Sequence, residues 1–267
     1  MELVEFIGYI GALVIGVSLG LIGGGGSILA VPILAYLFHI EEKATTAYSL
    51  FIVGASALVG GWQQHRKGNV DWRTAIIFGI PSIVGVTLIR HYLIPMLPDV
   101  LFQMGDIPFT RRMMMFGLFA ILMIPAAWSM LKKSNNNATS GPTQYNYPMI
   151  IVEGLIVGAI TGLVGAGGGF LIIPALVILA NIEMKKAIGT SLIIIAIKSL
   201  MGFFLGDAMT MNIDWPFLVS FTGVAFLGIF LGTYLSQFVD GSKLKRGFGF
   251  FIIAMAIFIF YMEFILK

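Results

Sequence analysis

The 267 residues include no cysteine, only three histidines, and charged groups at just 11% of positions, against roughly a quarter in an ordinary soluble domain. Without cysteine there is no disulfide, no thiol nucleophile and no thiolate metal site. With so little charge, a chain that is 58% hydrophobic cannot cover itself with water-facing groups. A long basic face is missing too. The net charge is +3, and the Lys and Arg residues fall in short clusters between apolar runs, which argues against nucleic acid and for membrane topology signals. The start, MELVEFIGYI, lacks the positive charge of a signal peptide, carries Glu2 and Glu5 instead, and reads as a first membrane segment.

What the chain has in abundance is apolar runs approaching bilayer-spanning length, about 20 residues for a helix. They predict an all-α integral membrane protein with the lipid bilayer as its solvent. Five segments fall near 3–22, 27–39, 44–64, 74–94 and 112–131, and five more near 148–165, 170–181, 187–206, 215–237 and 247–265. The polar run SNNNATSGPTQ predicts a linker over 134–147, dividing an N-terminal transmembrane repeat, 1–133, from a C-terminal one, 148–267.

The two sets are copies. GLIGGGG at Gly20 to Gly26 matches GLVGAGG at Gly162 to Gly168 with an offset of 142, and Pro32 falls on Pro174 and Ser49 on Ser191. One residue later in register, Asn69-Val70-Asp71-Trp72 falls on Asn212-Ile213-Asp214-Trp215. Small residues recur every four positions in the first segment of each half, Gly8, Ala12, Gly16, Gly20 and Gly154, Gly158, Gly162, Ala166. Such a stripe reads as helix packing. The basic loops alternate between the copies: HRKGNVDWR is basic where GDAMTMNID is not, while Lys132, Lys133 and DGSKLKR mark other cytoplasmic connections. By the positive-inside rule this predicts two inverted-topology repeats with both termini outside, although Arg90, Arg111 and Arg112 sit on the wrong side.

Glycine runs cannot continue a stable helix, each Gly costing roughly 1 kcal/mol relative to Ala, so each half must break between its first and second segments. Broken backbone at membrane depth needs protein or water around it. Two readings stand: sharp turns between packed helices, or half-helix N-termini whose N–H groups hold an anion, at Gly24, Gly25, Gly26 and Ser27 and at Gly167, Gly168 and Gly169. Ser49, Thr190 and Ser191 begin the third segments and serve as caps or ligands. Lys198 lies about eleven residues into its segment, a depth at which a lysine is a functional candidate, as a substrate counter-charge or a proton carrier. Its counterpart in the first half is only Ser56. Gln63, Gln64, His65 and Arg66 close the third segment as a gate or a polar end; Gln63, His65 and Arg66 are the gate candidates. His39, His91 and the four tryptophans read as interfacial. VGAGGGF lacks the last Gly and the strand of a dinucleotide loop. No catalytic residue, cofactor or metal is predicted; Ser27 has no base at membrane depth.

The duplicated runs GLIGGGGSILAVPIL and GLVGAGGGFLIIPAL, followed by YSL or GTSL and by HRKGNVDW, resemble the TauE/SafE sulfite exporter family over essentially the whole chain. The resemblance implies a secondary transporter of the plasma membrane for a small sulfur-containing anion such as sulfite or a sulfonate, with proton or ion coupling as an option. An anion channel is the alternative. The halves depart from one another at LGDAMTMNIDW, which stands in place of the basic loop, and at Ala166, which replaces a Gly.

Overall fold

The computed structural model describes residues 3–104, 107–131, 147–164, 169–178 and 182–265. The linker residues 134–146 and the glycines Gly167 and Gly168 lie outside the described residues.

Helices follow the apolar runs closely. They are α1 (Leu3–Ile22), α2 (Ser27–Pro32), α3 (Glu42–Arg66), α4 (Trp72–Leu88) and the short α5 (Ile94–Met96), then α6 (Arg111–Leu131) and α7 (Tyr147–Val164). After these come α8 (Gly169–Ile178), α9 (Met184–Gly202), α10 (Trp215–Leu235) and α11 (Gly241–Phe264). Among the described residues, seven helical stretches are long and apolar enough to cross a membrane, and Pro148–Val164 is a shorter one. This is an all-α membrane protein with one addition that the apolar pattern did not foresee. Between α5 and α6 a small antiparallel hairpin forms from β1 (Val100–Met104) and β2 (Ile107–Thr110), with Phe102 stacked on Phe109 at 4.6 Å.

The duplicated aspartates turn out to be helix caps. Asp71 accepts the N–H groups of Arg73 and Thr74 at the start of α4, and Asp214 accepts that of Phe217 at the start of α10, so each carboxylate satisfies N–H groups that the first helical turn leaves open.

Packing joins the halves rather than keeping them apart. α1 lies along α10, α7 along α4, α3 along α9 and α6 along α11. In the first two pairs the small-residue stripes do the packing: Gly16 and Gly20 meet the backbone of Ala225 to Thr233, and Gly154 and Gly158 meet that of Phe78 and Ser82. These pairs run in the same direction. The other two pairs run in opposite directions, with Gly54 beside Leu200 and Gly61 beside Ile193, and Arg112 paired with Glu263 while Gly249 meets Leu131. Since α3 runs from a Glu42 end to an Arg66 end, α1 runs with it and α7 runs against it.

The apolar stretch Glu5–Leu37 is not one straight rod. After Ile22, Gly23 takes a φ of +68°, residues Gly23–Gly26 form a 3-10 turn, and α2 returns along α1. The return is fixed by Gly26 against Ser18, Ile33 against Gly11 and Phe38 against Gly8.

Candidate functional site

At the tip of this first hairpin only glycine fits. Gly23 is in the left-handed region, open to few other residues, and a Cβ there would lie 2.9 Å from Ser191 Oγ and 3.2 Å from Ile188 Cα. Gly24 meets Gly169 backbone to backbone, with Ile195 beside them, so the turn of one half touches the start of α8 in the other with no side chain between.

The hydroxyls singled out in the sequence are already engaged. Ser27 Oγ donates to Gly24 O at 2.6 Å, Ser49 Oγ to Thr46 O at 2.9 Å and Ser191 Oγ to Ile188 O at 2.9 Å. The Ser27 N–H is also bonded, to Gly24 O and Gly25 O. With their protons directed at carbonyls, these hydroxyls offer an anion only lone pairs in this conformation. Thr190 Oγ1 accepts the backbone N–H of Asp71 at 2.9 Å, which fixes the loop before α4. Lys198 is wholly buried and donates to Thr161 Oγ1 at 3.0 Å, one turn before the end of α7. A carboxylate that the sequence reading passes over, Glu153, is in α7 too, but eight residues from Thr161, about 12 Å along a helix.

A polar cavity of about 150 Å³ opens at the Arg66 end, lined by Gln64, Lys67, Asn69, Lys185, Ile188, Ser236, Gln237 and Leu244. Among the described residues its lining has two ammonium groups, three amide side chains and no carboxylate. Lys67 Nζ donates to Thr233 O at 3.2 Å, and Asn69 Nδ2 to Gln64 Oε1 at 3.0 Å. Partial burial draws the Lys67 ammonium below the usual lysine pKa. Ile188 links this cavity to the glycine tip, because it also contacts Gly23.

Of the four residues closing α3, the cavity takes Gln64. His65 points elsewhere: it is exposed, and its Nδ1 accepts from Trp72 Nε1 at 3.2 Å. Arg66 is exposed, and Gln63 does not line the cavity. Adjacent positions on a helix differ by about 100°, so the pair of glutamines was visible in the sequence but the face was not. Lys185 was visible only as a loop charge.

A second polar cavity, about 240 Å³, lies at the Glu42 end among Lys43, Arg90, Ile94, Pro95, Asp207, Thr210 and Met211. Arg90 is buried there and bonded to Asp207 Oδ1 at 3.1 Å and Thr46 Oγ1 at 3.2 Å. The other two arginines at this end are paired as well, Arg111 with Glu42 and Asp99, and Arg112 with Glu263. Among the described residues no cluster suited to a metal ion is found.

In this chain of membrane helices, where the Gly23–Gly26 turn of one half meets Gly169 of the other, the family Sulfite exporter TauE/SafE matches residues 9–259. The chain belongs to it. The TauE/SafE protein is 33% identical over 254 residues to a "Probable membrane transporter protein" of Xylella fastidiosa (strain 9a5c), covering 92% of this chain and 90% of that one. It is 32% identical over 258 residues to a protein so described in Xylella fastidiosa (strain Temecula1), with the same coverage. With the "Probable membrane transporter protein YdhB" of Bacillus subtilis (strain 168) it shares 25% over 231 residues, 86% of this chain and 90% of the relative. No solved structure matches it. This TauE/SafE member is a membrane transporter and not an enzyme.

Proposed function

We propose that this protein is a secondary transporter that moves a small oxyanion, sulfite or another sulfur-containing anion, across the plasma membrane by alternating access. The observation that carries the reading is the cavity holding Lys67 and Lys185 with no carboxylate among the described residues, which leads through Ile188 to the Gly23 turn. Cationic and amide donors around a small space match an oxyanion in charge and hydrogen bonding. The family's description supplies the sulfur.

The two halves act as inverted repeats. This is supported by α1 running against α7 and α3 against α9, and by the pairing of corresponding elements across the halves. The Arg66 end faces the cytoplasm in this reading. Its loops hold Arg66, Lys67 and Arg73, Lys185 and Lys186, and Lys243, Lys245 and Arg246, the excess expected inside. Leu3 and Phe264 then both lie outside. Lys198, a wholly buried charge four residues before the end of α9, serves the anion as a counter-charge on its way past Gly24 and Gly169, and coupling to a proton would use the same amine.

Purified protein in proteoliposomes, assayed with radiolabelled sulfite, tests this. Saturable uptake that unlabelled sulfite accelerates from the other side is the expected result. Absence of anion flux, or flux at channel rates far above carrier turnover, overturns it.

A further inference from the structure

The two polar cavities are built from corresponding positions of the two halves. Lys43 in one matches Lys185 in the other at the offset of 142. At the offset of 143, Asp207 matches Gln64, Thr210 matches Lys67, and Ile94 matches Gln237. Arg90 matches Thr233, whose carbonyl holds Lys67. Each cavity therefore has one lysine at the same place and a second cation, carried on the loop as Lys67 at the Arg66 end and on the helix as Arg90 at the Glu42 end.

The difference lies in what the second cation meets. Arg90 is 3% exposed, and among the described residues only its Nη1 is bonded; Nε and Nη2 find no partner there, and neither does Oδ2 of Asp207. A guanidinium and a carboxylate so placed normally make two parallel bonds, and buried N–H groups rarely go without. Both residues also sit on π-helical turns, Ile89–Leu93 and Phe203–Asp207, irregularities that recur at functional places.

We propose that the cavity at the Glu42 end is a second oxyanion site, with Arg90 as its ligand. The anion takes the place of Asp207 on the guanidinium, so the Arg90–Asp207 pair is the closed form of a gate and the Arg90–anion pair its open form. Lys43 adds charge at the mouth. The anion and the carboxylate compete for one fork, so the site binds its ligand only as the pair parts. This rests on the reading of the protein as an oxyanion carrier, but its test does not depend on sulfite being carried.

Because the chain has no cysteine, a single Met211→Cys reports from the cavity wall, and Met209→Cys, exposed on the same loop and outside the lining, is the control. In detergent-purified protein the rates of modification by two methanethiosulfonates are compared, one bearing a sulfonate and the other a trimethylammonium group. The sulfonate reagent is itself the anionic probe. Relative to the control, Met211→Cys should favour it by at least about fivefold, as expected of a cation a few ångströms away in a partly dry site. Adding Asp207→Asn should increase that preference, and adding Arg90→Gln should abolish it. A preference that survives Arg90→Gln, or that Asp207→Asn leaves unchanged or lowers, overturns the proposal. Should Arg90→Gln fail to fold, the Asp207→Asn arm, which keeps the guanidinium, still decides.

Discussion

The backbone N–H of Asp71 is held by Thr190 Oγ1 at 2.9 Å, across 119 residues of chain. At the matching place in the other half, the N–H of Asp214 is held by the hydroxyl of Tyr48 at 2.8 Å. Asp71 and Asp214 correspond, and so do Thr190 and Tyr48. Each half thus anchors the loop that starts a long helix of the other, α4 in the first half and α10 in the second.

This bracing separates a structural from a binding role for Thr190. Thr190→Val keeps the shape and removes the acceptor, leaving the Asp71 N–H without its bond at a cost of about 1–3 kcal/mol. Thermal unfolding in detergent should show lower stability, and Tyr48→Phe should behave alike. The half-saturating sulfite concentration of surviving protein should stay within about twofold, since 1.4 kcal/mol would be a tenfold change. Unchanged stability with weakened uptake would return Thr190 to the substrate.

Lys67 and Lys185 should govern anion capture at the Arg66 end. Lys67→Gln or Lys185→Gln each removes a charged hydrogen bond of about 1.5–3 kcal/mol, so half-saturation for sulfite applied from that side should rise roughly tenfold or more. A double variant that saturates like the parent would place the site elsewhere.

The same lysine gives a pH dependence. Burial lowers the Lys67 pKa, which means that the ammonium is present below that value and is lost as pH rises through it. Affinity for a permanently charged sulfonate should therefore fall in the alkaline range before an ordinary lysine would titrate, and Lys67→Arg should extend binding to higher pH. A profile identical for Lys67 and Lys67→Arg would sink this assignment.

Lys198→Met should leave the helices assembled, because a lysine inside a membrane helix is costly, up to about 2.5–3.5 kcal/mol at a helix centre, and its bond to Thr161 is neutral at the far end. Gel filtration should show an intact protein while sulfite flux falls at least about tenfold, the equivalent of 1.4 kcal/mol in a barrier. Full flux in Lys198→Met would remove the residue from the path.

Glycine positions divide sharply. Gly24→Ala and Gly169→Ala push a methyl into facing backbone, and such overpacking costs about 1–3 kcal/mol or more. Gly223 and Gly247, helical and with open space around them, should gain about 0.5–1 kcal/mol on becoming Ala. Melting temperatures of the four variants check the contrast.

The helices and the Gly23–Gly26 turn were legible in the sequence because apolar length and Gly runs are local signals. The duplicated NVDW and NIDW runs were visible as a repeat, yet their purpose as caps appears only with the helices that they start. Partners across the chain were not legible. Arg90, Arg111 and Arg112 counted against the orientation when read as loop charges, whereas Asp207 is 117 positions from the first and Glu263 is 151 from the last. Thr190 and Ser191 read from the sequence as the first turn of their segment, yet α9 starts at Met184, which puts them in its second turn, and their oxygens are committed to Asp71 and to Ile188. The β1–β2 hairpin gave no warning, since two short strands, with Pro98 just before the first and Pro108 inside the second, resemble any loop.

The doubling back of Glu5–Leu37 matters for anyone mapping this protein with reporter fusions. A hydropathy count takes that stretch as one passage and assigns His39 and Leu3 to opposite faces, an error of parity that every later fusion inherits. In the folded chain the stretch returns to the end it left, so enzymatic tags placed at His39 and ahead of α1 should report the same compartment.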